Sequence, residues 1–455
     1  MKDGFIRVAA ATPDIHVADP QYNSEQIIEL MEQGSARGVK VMVFPELCLT
    51  AYTCSDLFLQ ETLLKEAKNG LKRILQSSKS KDMVLFVGMP WMHKGKLYNV
   101  AAVVNRGRIL GIVPKKHLPN YSEFYELRHF TPGMEKVEMT EWEGLQIPMG
   151  MNLLFACRTM PELVLAAELC EDVWVPCPPS ISHALAGATV IANCSASDET
   201  TGKDRYRYDL ICGQSARLVC GYIYANAGEG ESTQDLVFGG QNIIAENGTC
   251  LVQSDRFKNA CICADMDLGR IISERRRMTT FKDEENKASS YETVYFELNT
   301  EDITKKDSKK AGQKNDEILI DPAPFVPHDA GQRERRCEEI LSIQAMGLKK
   351  RLAHTNCKHA VIGLSGGLDS TLALLVTIRA FDMLRIPREN IHCITMPCFG
   401  TTDRTYTNAC TMAKKTGASL TEINIRDAVT GHFKDIAHDM EKHDVTYENG
   451  QARER

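Results

Sequence analysis

The sequence has no long apolar run, and we do not expect its first residues to form a signal peptide. No apolar stretch approaches the roughly 20 residues that a membrane-spanning helix needs, and residues 1–20 read as a strand and a loop rather than as a signal peptide. No C-x-x-C pair occurs among the 16 cysteines, which are scattered through apolar runs. These absences argue against a membrane partner and favour a cytoplasmic, reducing location, where most cysteines pack as small buried hydrophobic side chains.

An excess of charge of one sign is also missing. The 455 residues carry 54 Lys and Arg against 60 Asp and Glu, which leaves a net charge of −6. That balance gives no support to a nucleic-acid partner or to binding at an anionic membrane surface. The hydrophobic fraction of 43% is sufficient for buried cores and excludes disorder as a general description.

Up to about residue 267 the chain alternates short β-rich runs with amphipathic helical stretches. Several runs are continuously apolar, as expected of strands that are covered on both faces. Helical periodicity is found at 24–37, 59–76 and 208–219. We therefore predict an α/β domain built in layers on a large sheet. The predicted strands are 5–10, 39–44, 84–88, 99–104, 109–113, 163–167, 189–192, 222–225 and 261–264.

The composition changes after residue 270. Residues 300–317 are polar and dense in mixed charge, which is typical of an exposed linker, and a proline-rich lead-in precedes a helix from about residue 331 and a strand at 359–364. We predict a first domain at 1–270, a connecting segment at 271–330, and a second, doubly wound α/β domain at 331–455.

Three polar side chains follow apolar strands of the first domain at the points where those strands end. Glu46 and Lys115 each follow a strand-ending proline, in VMVFPELCLTAY and RILGIVPKKHLPN, and Cys170 follows the apolar strand of LVLAAELCEDVWVP. Since open α/β sheets place their chemistry at the carboxyl ends of strands, we expect the three side chains to converge.

A carboxylate, an amine and a thiol in one pocket suit acyl transfer. Cys170 as a thiolate would attack a carbonyl and hold an acyl-enzyme, Glu46 would act as general base for the thiol and then for water, and Lys115 would stabilise the oxyanion or hold Glu46 in place. Only one of Lys115 and Lys116 can enter the site, because neighbours in an extended segment point to opposite faces. Spacing alone leaves open a packed cysteine, a helix-capping glutamate and a solvated lysine.

The segments around these residues resemble a known family. FPELCLTAYTCSDLF, VPKKHLPNYSEFYE, ELCEDVWVP and NCSASDETTGK are similar to the glutaminase domain of glutamine-dependent NAD synthetases, a branch of the nitrilase superfamily, over essentially residues 1–270. The resemblance implies a nitrilase-like αββα sandwich that hydrolyses glutamine and channels the ammonia to the second domain. The residues to which it assigns roles are Glu46, Lys115 and Cys170 in catalysis, and Tyr121, Ser197 and Lys203 in glutamine binding.

A zwitterionic amino acid needs a partner for each of its two charges. Lys203 suits the carboxylate, and Glu171 or Glu123 suits the ammonium, although ordinary surface charge is an equally good interpretation of these residues. Glu231 and Ser232, in GEGESTQDLVFGG, also resemble the sequences of this family at the same place. No chemical step can be assigned to them from the sequence.

The second domain contains one sharp motif, VIGLSGGLDSTLALLVTIRAF. A strand, a tight glycine turn and a helix that starts around Asp369 suit phosphate binding, because backbone N–H groups and the helix N-terminus face the anion. Asp369 among phosphates would be repulsive without a cation, which indicates Mg²⁺. The commoner alternative for an isolated SGG turn is a glycine turn with a capping aspartate. The candidate ATP-binding residues are Gly363, Leu364, Ser365, Gly366, Gly367, Leu368, Asp369 and Ser370.

The SGGxDS pattern resembles the loop of the ATP pyrophosphatases rather than a Walker A loop, which ends in Gly-Lys-Ser/Thr. The closing segment DVTYENGQARER resembles the part of NAD synthetases that meets deamido-NAD, with Asn449 as the matching contact. Members of that family continue well beyond this segment, so we expect a C-terminally truncated chain whose second domain, of the adenine nucleotide alpha hydrolase-like kind, is incomplete.

By this resemblance the complete enzyme is a ligase that adenylylates deamido-NAD with Mg-ATP and amidates it with ammonia from glutamine, giving NAD, AMP and diphosphate. The expected partners are these small molecules and other copies of the chain in a homo-oligomer, and no tightly bound organic cofactor is expected. Two alternatives stay open: a glutaminase or carbon–nitrogen hydrolase whose second domain is inert, and a nucleotide-binding regulatory module without either activity.

Overall fold

A computed structural model describes residues 4–233, 236–281, 290–299, 323 and 325–441 of the chain. Contacts between residues divide the chain into two units, Met1–Ile318 and Leu319–Arg455. In the first unit the apolar runs of the sequence form strands. Its strands in chain order, among the described residues, are β1 (Phe5–Ala11), β2 (Val41–Val43), β3 (Val84–His93), β4 (Lys96–Asn105), β5 (Arg108–Pro114), β6 (Glu138–Trp142), β7 (Leu145–Met149), β8 (Leu153–Cys157), β9 (Val164–Leu169), β10 (Val190–Ser195), β11 (Gly221–Asn226), β12 (Ile243–Glu246), β13 (Thr249–Gln253), β14 (Cys261–Asp267) and β15 (Glu292–Phe296).

These strands form two mixed sheets. The first has the order β14-β1-β2-β3-β4-β5-β7-β6, and the second has the order β13-β12-β11-β10-β9-β8-β15. Alternate side chains of both sheets meet in one apolar core, in which Val43 and Phe86 of the first sheet lie with Phe155 and Ile223 of the second. The two sheets therefore pack face to face, and the strands that carry Glu46 and Cys170 lie in different sheets.

Helices cover the outer face of each sheet. Among the described residues, the helices of this unit are α1 (Pro20–Ala36), α2 (Glu61–Ser78), α3 (Pro179–Leu185), α4 (Lys203–Leu218) and α5 (Leu268–Arg277). Ile27 of α1 and Leu71 of α2 share a core with Phe44 and Leu85 on the first sheet, and Ile211 of α4 packs with the second sheet. Continuously buried strands such as β3 and β4 follow from this covering of both faces. The predicted α/β class and the αββα sandwich are confirmed.

The predicted strands and helices of the first unit all form, with ends that shift by a few residues. The edge hairpin of β6 and β7 and the strands β8, β12, β13 and β15 were not predicted. β15 lies inside the segment 271–330 that the sequence indicates as a connection, and it pairs in parallel with β8 along its whole length. The domain boundaries at 270 and 331 stay predictions.

The second unit contains a three-stranded parallel sheet within the residues that are described. Its strands are β16 (Ala360–Gly363), β17 (Ile391–Thr395) and β18 (Ser419–Glu422), in that order. Its helices are α6 (Ala330–Thr355), α7 (Leu368–Leu384), α8 (Asp403–Thr416) and α9 (Arg426–Asp435). The alternation of strand and helix agrees with the predicted α/β class.

No helix among the described residues is long and apolar enough to cross a membrane. The 16 cysteines are all free thiols, and nine of them are buried, as expected of small apolar side chains.

Candidate active site

Glu46 lies one turn beyond the end of β2, at the interface of the two sheets, and is fully buried. Its backbone N–H donates to Ser195 O at 3.2 Å, and its Oε2 accepts from the Ala196 N–H at 3.0 Å. Strand β3 passes directly beneath this turn: a Cβ atom on Gly88 would lie 2.3 Å from Pro45 O. Only glycine fits at that point, so the turn that carries Glu46 packs with its backbone directly against β3.

Lys115 follows β5 and is also fully buried. Its Nζ donates to Glu46 Oε1 at 2.6 Å and to Glu126 Oε1 at 2.6 Å. Lys116 points the other way and pairs with Glu135 in solvent. Of the two adjacent lysines, only Lys115 contacts Glu46 and Glu126.

Cys170 begins the short turn that follows β9, with a φ of +41° that non-glycine residues rarely adopt. Its backbone N–H donates to Asn193 Oδ1 at 3.3 Å, and its thiol faces the Ala196 N–H, the same donor that serves Glu46. The structure thus brings the three predicted side chains, Glu46, Lys115 and Cys170, into one pocket although they come from distant parts of the chain.

Two buried carboxylates hold the turn that carries Cys170. Asp172 accepts from the Leu169 N–H at 3.1 Å and from the His117 N–H at 2.9 Å, so it joins this turn to the segment just after Lys115. Glu168 accepts from the Tyr222 hydroxyl, which in turn accepts from Asn193 Nδ2 at 3.0 Å. This chain of bonds keeps the oxygen of the Asn193 amide directed at Cys170.

The electrostatics of the pocket favour a neutral thiol in the resting state. Burial raises the pKa of Cys170 well above its usual value, and the nearby carboxylates of Glu46 and Glu126 add to the shift, whereas Lys115 opposes it. For Lys115, burial disfavours the charged form, but the two glutamates outweigh it and raise its pKa well above the usual value. A protonated lysine beside a protonated thiol requires a base at the moment of attack, and Glu46 lies next to both.

Glu126 is the buried member of this pocket that the sequence interpretation missed. Burial raises its pKa to about 7, against the lowering effect of Lys115 and of the Tyr52 hydroxyl. Among the described residues its Oε2 has no hydrogen-bond partner. Glu126 is the last residue of the segment VPKKHLPNYSEFYE, and of the two glutamates in that segment the sequence analysis considers only Glu123. No apolar strand ends directly before Glu126, so the expectation that functional residues lie at the carboxyl ends of strands does not point to it.

The predicted glutamine-binding residues lie around the mouth of the pocket. The Tyr121 hydroxyl donates to Glu171 Oε1 at 2.8 Å. Lys203 pairs with Asp198, and its Nζ lies 5.5 Å from the centre of the Trp174 ring. Glu171 is next to Cys170 and close enough to Lys203 for that charge to lower its pKa, although burial raises it overall.

Ser197 lies deeper, beside Ala196, and is 3% exposed. Its hydroxyl oxygen accepts from Arg207 Nη2 at 3.2 Å, and the same hydroxyl lies beside that of Tyr224. Glu123 lines a cavity of about 400 Å³ whose wall also includes Tyr52 and Glu126.

The predicted ATP residues form the connection between β16 and α7. Leu364 is buried, Ser365–Gly367 make the turn, and α7 begins at Leu368. Gly366 has a φ of +80°, and a Cβ there would lie 1.9 Å from Thr405 O at the start of α8. Ser365 Oγ and Ser370 Oγ lie 3.1 Å apart across the turn. The seventeen-residue helix α7 directs its N-terminus at this loop, which is a suitable place for phosphate.

Two further predictions are not settled by these contacts. Asn449 lies outside the described residues. Asp369 is exposed in the first turn of α7, and the described residues contain no group of three or more His, Cys, Asp and Glu side chains arranged to hold a metal ion. The magnesium role of Asp369 stays a prediction.

Comparisons with known proteins match both units. Residues 7–276 match the family described as carbon–nitrogen hydrolase, and residues 340–455 match the family described as NAD synthase. A protein of Mycobacterium leprae (strain TN) named glutamine-dependent NAD(+) synthetase is 40% identical over 99% of this chain and 66% of its own length. One of the same name from Aquifex aeolicus (strain VF5) is 27% identical over 99% of this chain and 71% of its own length.

Among solved structures, a glutamine-dependent NAD(+) synthetase from Cytophaga hutchinsonii covers 99% of this chain and 71% of its own, with a TM-score of 0.52 and 23% identity. At that identity the likeness concerns the fold alone. The chain spans 66% of the length of the M. leprae relative. The resemblance stated from the sequence motifs is confirmed by these matches.

Proposed function

Because the chain belongs to the carbon–nitrogen hydrolase family, we propose that its first unit hydrolyses glutamine to glutamate and ammonia, and that its second unit uses ATP to adenylylate deamido-NAD for amidation to NAD(+). The observation that supports the first half is the buried Lys115, held between Glu46 and Glu126 beside the Cys170 thiol. The second half is supported by the NAD synthase match and by the SGGLDS turn at the start of α7.

In the first step the Cys170 sulfur attacks the carboxamide carbon of glutamine, and the thiol proton passes to Glu46. The raised pKa of Cys170 makes this transfer necessary, because little thiolate exists before attack. Negative charge develops on the amide oxygen. Lys115 has three N–H groups, and the two glutamates account for two of them. The third is a donor for the oxyanion.

Collapse of the tetrahedral intermediate breaks the C–N bond. Glu46 returns the proton to the leaving nitrogen, which departs as ammonia and leaves a γ-glutamyl thioester on Cys170. Water then attacks the thioester while Glu46 takes its proton. The C–S bond breaks, the sulfur recovers the proton, and glutamate leaves.

Glutamine also carries an α-carboxylate and an α-ammonium. We assign the carboxylate to Lys203 and to the Ser197 hydroxyl, whose oxygen already accepts from Arg207. We assign the ammonium to Glu171, which the Tyr121 hydroxyl orients from the other side. Both assignments place the carboxamide toward Cys170, because Glu171 and Ser197 flank it.

In the second unit we assign the ATP phosphates to the turn Ser365–Gly367 and the first N–H groups of α7, with Asp369 as a ligand of the magnesium ion that accompanies ATP. Adenylylation turns the nicotinate carboxylate into a better electrophile, which ammonia then attacks with release of AMP. Asn449 as a contact to deamido-NAD, a homo-oligomeric state and a cytoplasmic location belong to the same proposal.

The first half is tested by measuring ammonia and glutamate released from glutamine by the full chain. Cys170→Ala should lower the rate at least about 10³-fold, because the nucleophile is removed. Cys177→Ala is the matched control, since Cys177 is an exposed cysteine nearby, and it should keep the wild-type rate. Equal rates in all three proteins would overturn the assignment.

The second half is tested by diphosphate release in the presence of ATP, deamido-NAD and ammonia. Asp369→Asn should abolish diphosphate release and spare glutamine hydrolysis. Asp427→Asn removes an exposed aspartate from the first turn of another helix, α9, and should have no effect. If the wild-type chain hydrolyses glutamine but forms no NAD(+), the function is restricted to the first unit. Diphosphate release that is unchanged in Asp369→Asn would contradict the role of Asp369 as a magnesium ligand.

A further inference from the structure

Glu231 is a buried carboxylate that the reaction described above does not use. It is 8% exposed and follows Gly230, whose φ is +110° and whose Cβ position would lie 2.3 Å from Ile15 O. The chain turns at this close approach, and the Glu231 side chain points inward. Glu229, two residues earlier, is exposed to solvent.

The Glu231 carboxylate binds one short segment of backbone. Oε1 accepts from the Tyr52 N–H at 2.8 Å, and Oε2 accepts from the Thr53 N–H at 3.0 Å and from Thr53 Oγ1 at 2.6 Å. Burial raises the pKa of Glu231, and these three donors lower it. A buried carboxylate with three donors holds the groups around it firmly. All three donors belong to Tyr52 and Thr53, so the carboxylate fixes this segment of backbone.

The anchored segment reaches the pocket through a single side chain. The Tyr52 hydroxyl donates to Glu126 Oε1 at 2.9 Å, the same oxygen that accepts from Lys115 Nζ at 2.6 Å. Burial and the charges of Glu126 and Glu46 raise the pKa of Tyr52 well above its usual value, so its hydroxyl keeps its proton and acts as a donor.

We propose that Glu231 is a positioning residue for glutamine hydrolysis: it holds the Tyr52 backbone so that the Tyr52 hydroxyl keeps its hydrogen bond to Glu126, and it thereby sets the pH at which Glu126 changes its protonation state beside Lys115. The inference rests on the proposed function of the first unit. It assigns a purpose to Glu231, which the sequence motifs single out without a chemical step.

The direction of the effect follows from the hydrogen bond. The Tyr52 donor favours the ionised form of Glu126, so loss of this donor raises the pKa of Glu126 above its present value of about 7. The titratable groups that face Glu126 or Glu231 from the elements packed against them are Glu46, Cys48, Tyr52, Cys54, Lys115 and Cys170. Arg128, which shares a turn with Glu126, forms an ion pair with Asp56.

The experiment compares the pH profiles of kcat/KM for glutamine hydrolysis in the wild type, Tyr52→Phe, Glu231→Gln and the double variant. In Glu231→Gln an amide NH₂ replaces one acceptor and faces backbone N–H donors. Both single variants should move the limb that reports Glu126 to higher pH, by roughly one pH unit. The double variant should shift no further than the larger single shift, because Glu231 acts through Tyr52.

Glu229→Gln is the matched control, since it removes the same charge from an exposed position in the same loop, and its profile should equal that of the wild type. A fall in rate that is uniform across pH in Glu231→Gln, or shifts that add in the double variant, would overturn the proposal. If Glu231→Gln does not fold, Glu231→Asp, whose shorter side chain withdraws from the Tyr52 N–H, carries the test: an upward shift supports the proposal, and a wild-type profile overturns it.

A second readout separates this inference from the proposed function. The rate at which iodoacetamide alkylates Cys170, followed by peptide mass mapping, depends on the charges beside the thiol and needs no glutamine. If the wild type releases no ammonia from glutamine, the proposed function fails, yet the alkylation profiles still decide the role of Glu231. The same upward shift in both single variants supports it, and identical profiles overturn it.

Discussion

Replacement of Lys115 by methionine should destabilise the first unit strongly and in a way that depends on pH. Methionine has a similar length and an apolar end, so it fills the space but leaves Glu46 and Glu126 buried without their shared cation. Loss of one partner of a buried charge pair costs about 3–5 kcal/mol. Lys116→Met is the matched control, because it breaks only the exposed pair with Glu135 and should cost less than about 1 kcal/mol.

The pH dependence follows from Glu126. Its pKa is about 7 in the folded chain against an ordinary value of 4.5, so the folded state binds the proton more tightly than the unfolded chain does. The contribution of Glu126 to the free energy of unfolding is therefore largest below pH 4.5 and falls as the pH rises to about 7, by about 3 kcal/mol in the wild type. Without Lys115 the pKa of Glu126 rises further, and the fall continues to higher pH.

The cost of Lys115→Met should accordingly be smaller near pH 5 than near pH 8, because at the lower pH a proton neutralises Glu126, one of the two carboxylates that lose their cation. Lys115 itself adds no slope in this window, because its pKa is raised and its charge is constant. Urea unfolding followed by tryptophan fluorescence measures the first unit, since the three tryptophans, Trp91, Trp142 and Trp174, all belong to it. A cost equal to that of Lys116→Met, or one that does not grow with pH, would contradict the role of Lys115 as the shared cation of the two glutamates.

Three further predictions concern the backbone around the two sites. Gly88→Ala forces a Cβ against the turn that carries Glu46 and should lower the free energy of unfolding of the first unit by more than about 2 kcal/mol, as measured in urea. The control Gly213→Ala lies in an open position of α4 and should raise that free energy by about 0.5–1 kcal/mol. Similar effects at both positions would contradict the close packing at Gly88. Asp172→Asn should lower kcat for glutamine about 10- to 100-fold with little change in KM, because the turn of the nucleophile loosens; a change in KM alone would speak against it. Gly366→Ala should weaken ATP binding in calorimetry at least about tenfold, since neither its φ nor its contact with α8 tolerates a side chain, and wild-type affinity would contradict the role of this turn.

The part of the fold that was predicted from the sequence follows from strands with strong local patterns. Apolar runs buried on both faces, such as β3 and β4, are recognised without knowledge of their partners. The hairpin of β6 and β7 lies at a sheet edge and exposes polar and apolar side chains alike, and β15 forms by pairing with β8, which is far away in the sequence. Such strands depend on tertiary pairing, and no local periodicity announces them.

The candidate site divides in the same way. Glu46, Lys115 and Cys170 were predicted because each follows an apolar strand, and sheet geometry brings strand ends together. Glu126 comes from an irregular segment that returns to the pocket by way of a hydrogen bond from its backbone N–H to Pro119 O at 3.2 Å. Its burial results from the path of this loop, which short-range sequence rules do not describe.

Peptide mapping by mass spectrometry, after rapid acid quench of the chain with glutamine, would show directly whether Cys170 forms the covalent intermediate. We expect a γ-glutamyl thioester on the peptide that contains Cys170, absent without glutamine and absent from Cys170→Ala. Ammonia released at the full rate with no adduct on that peptide, or with an adduct on another cysteine, would contradict it.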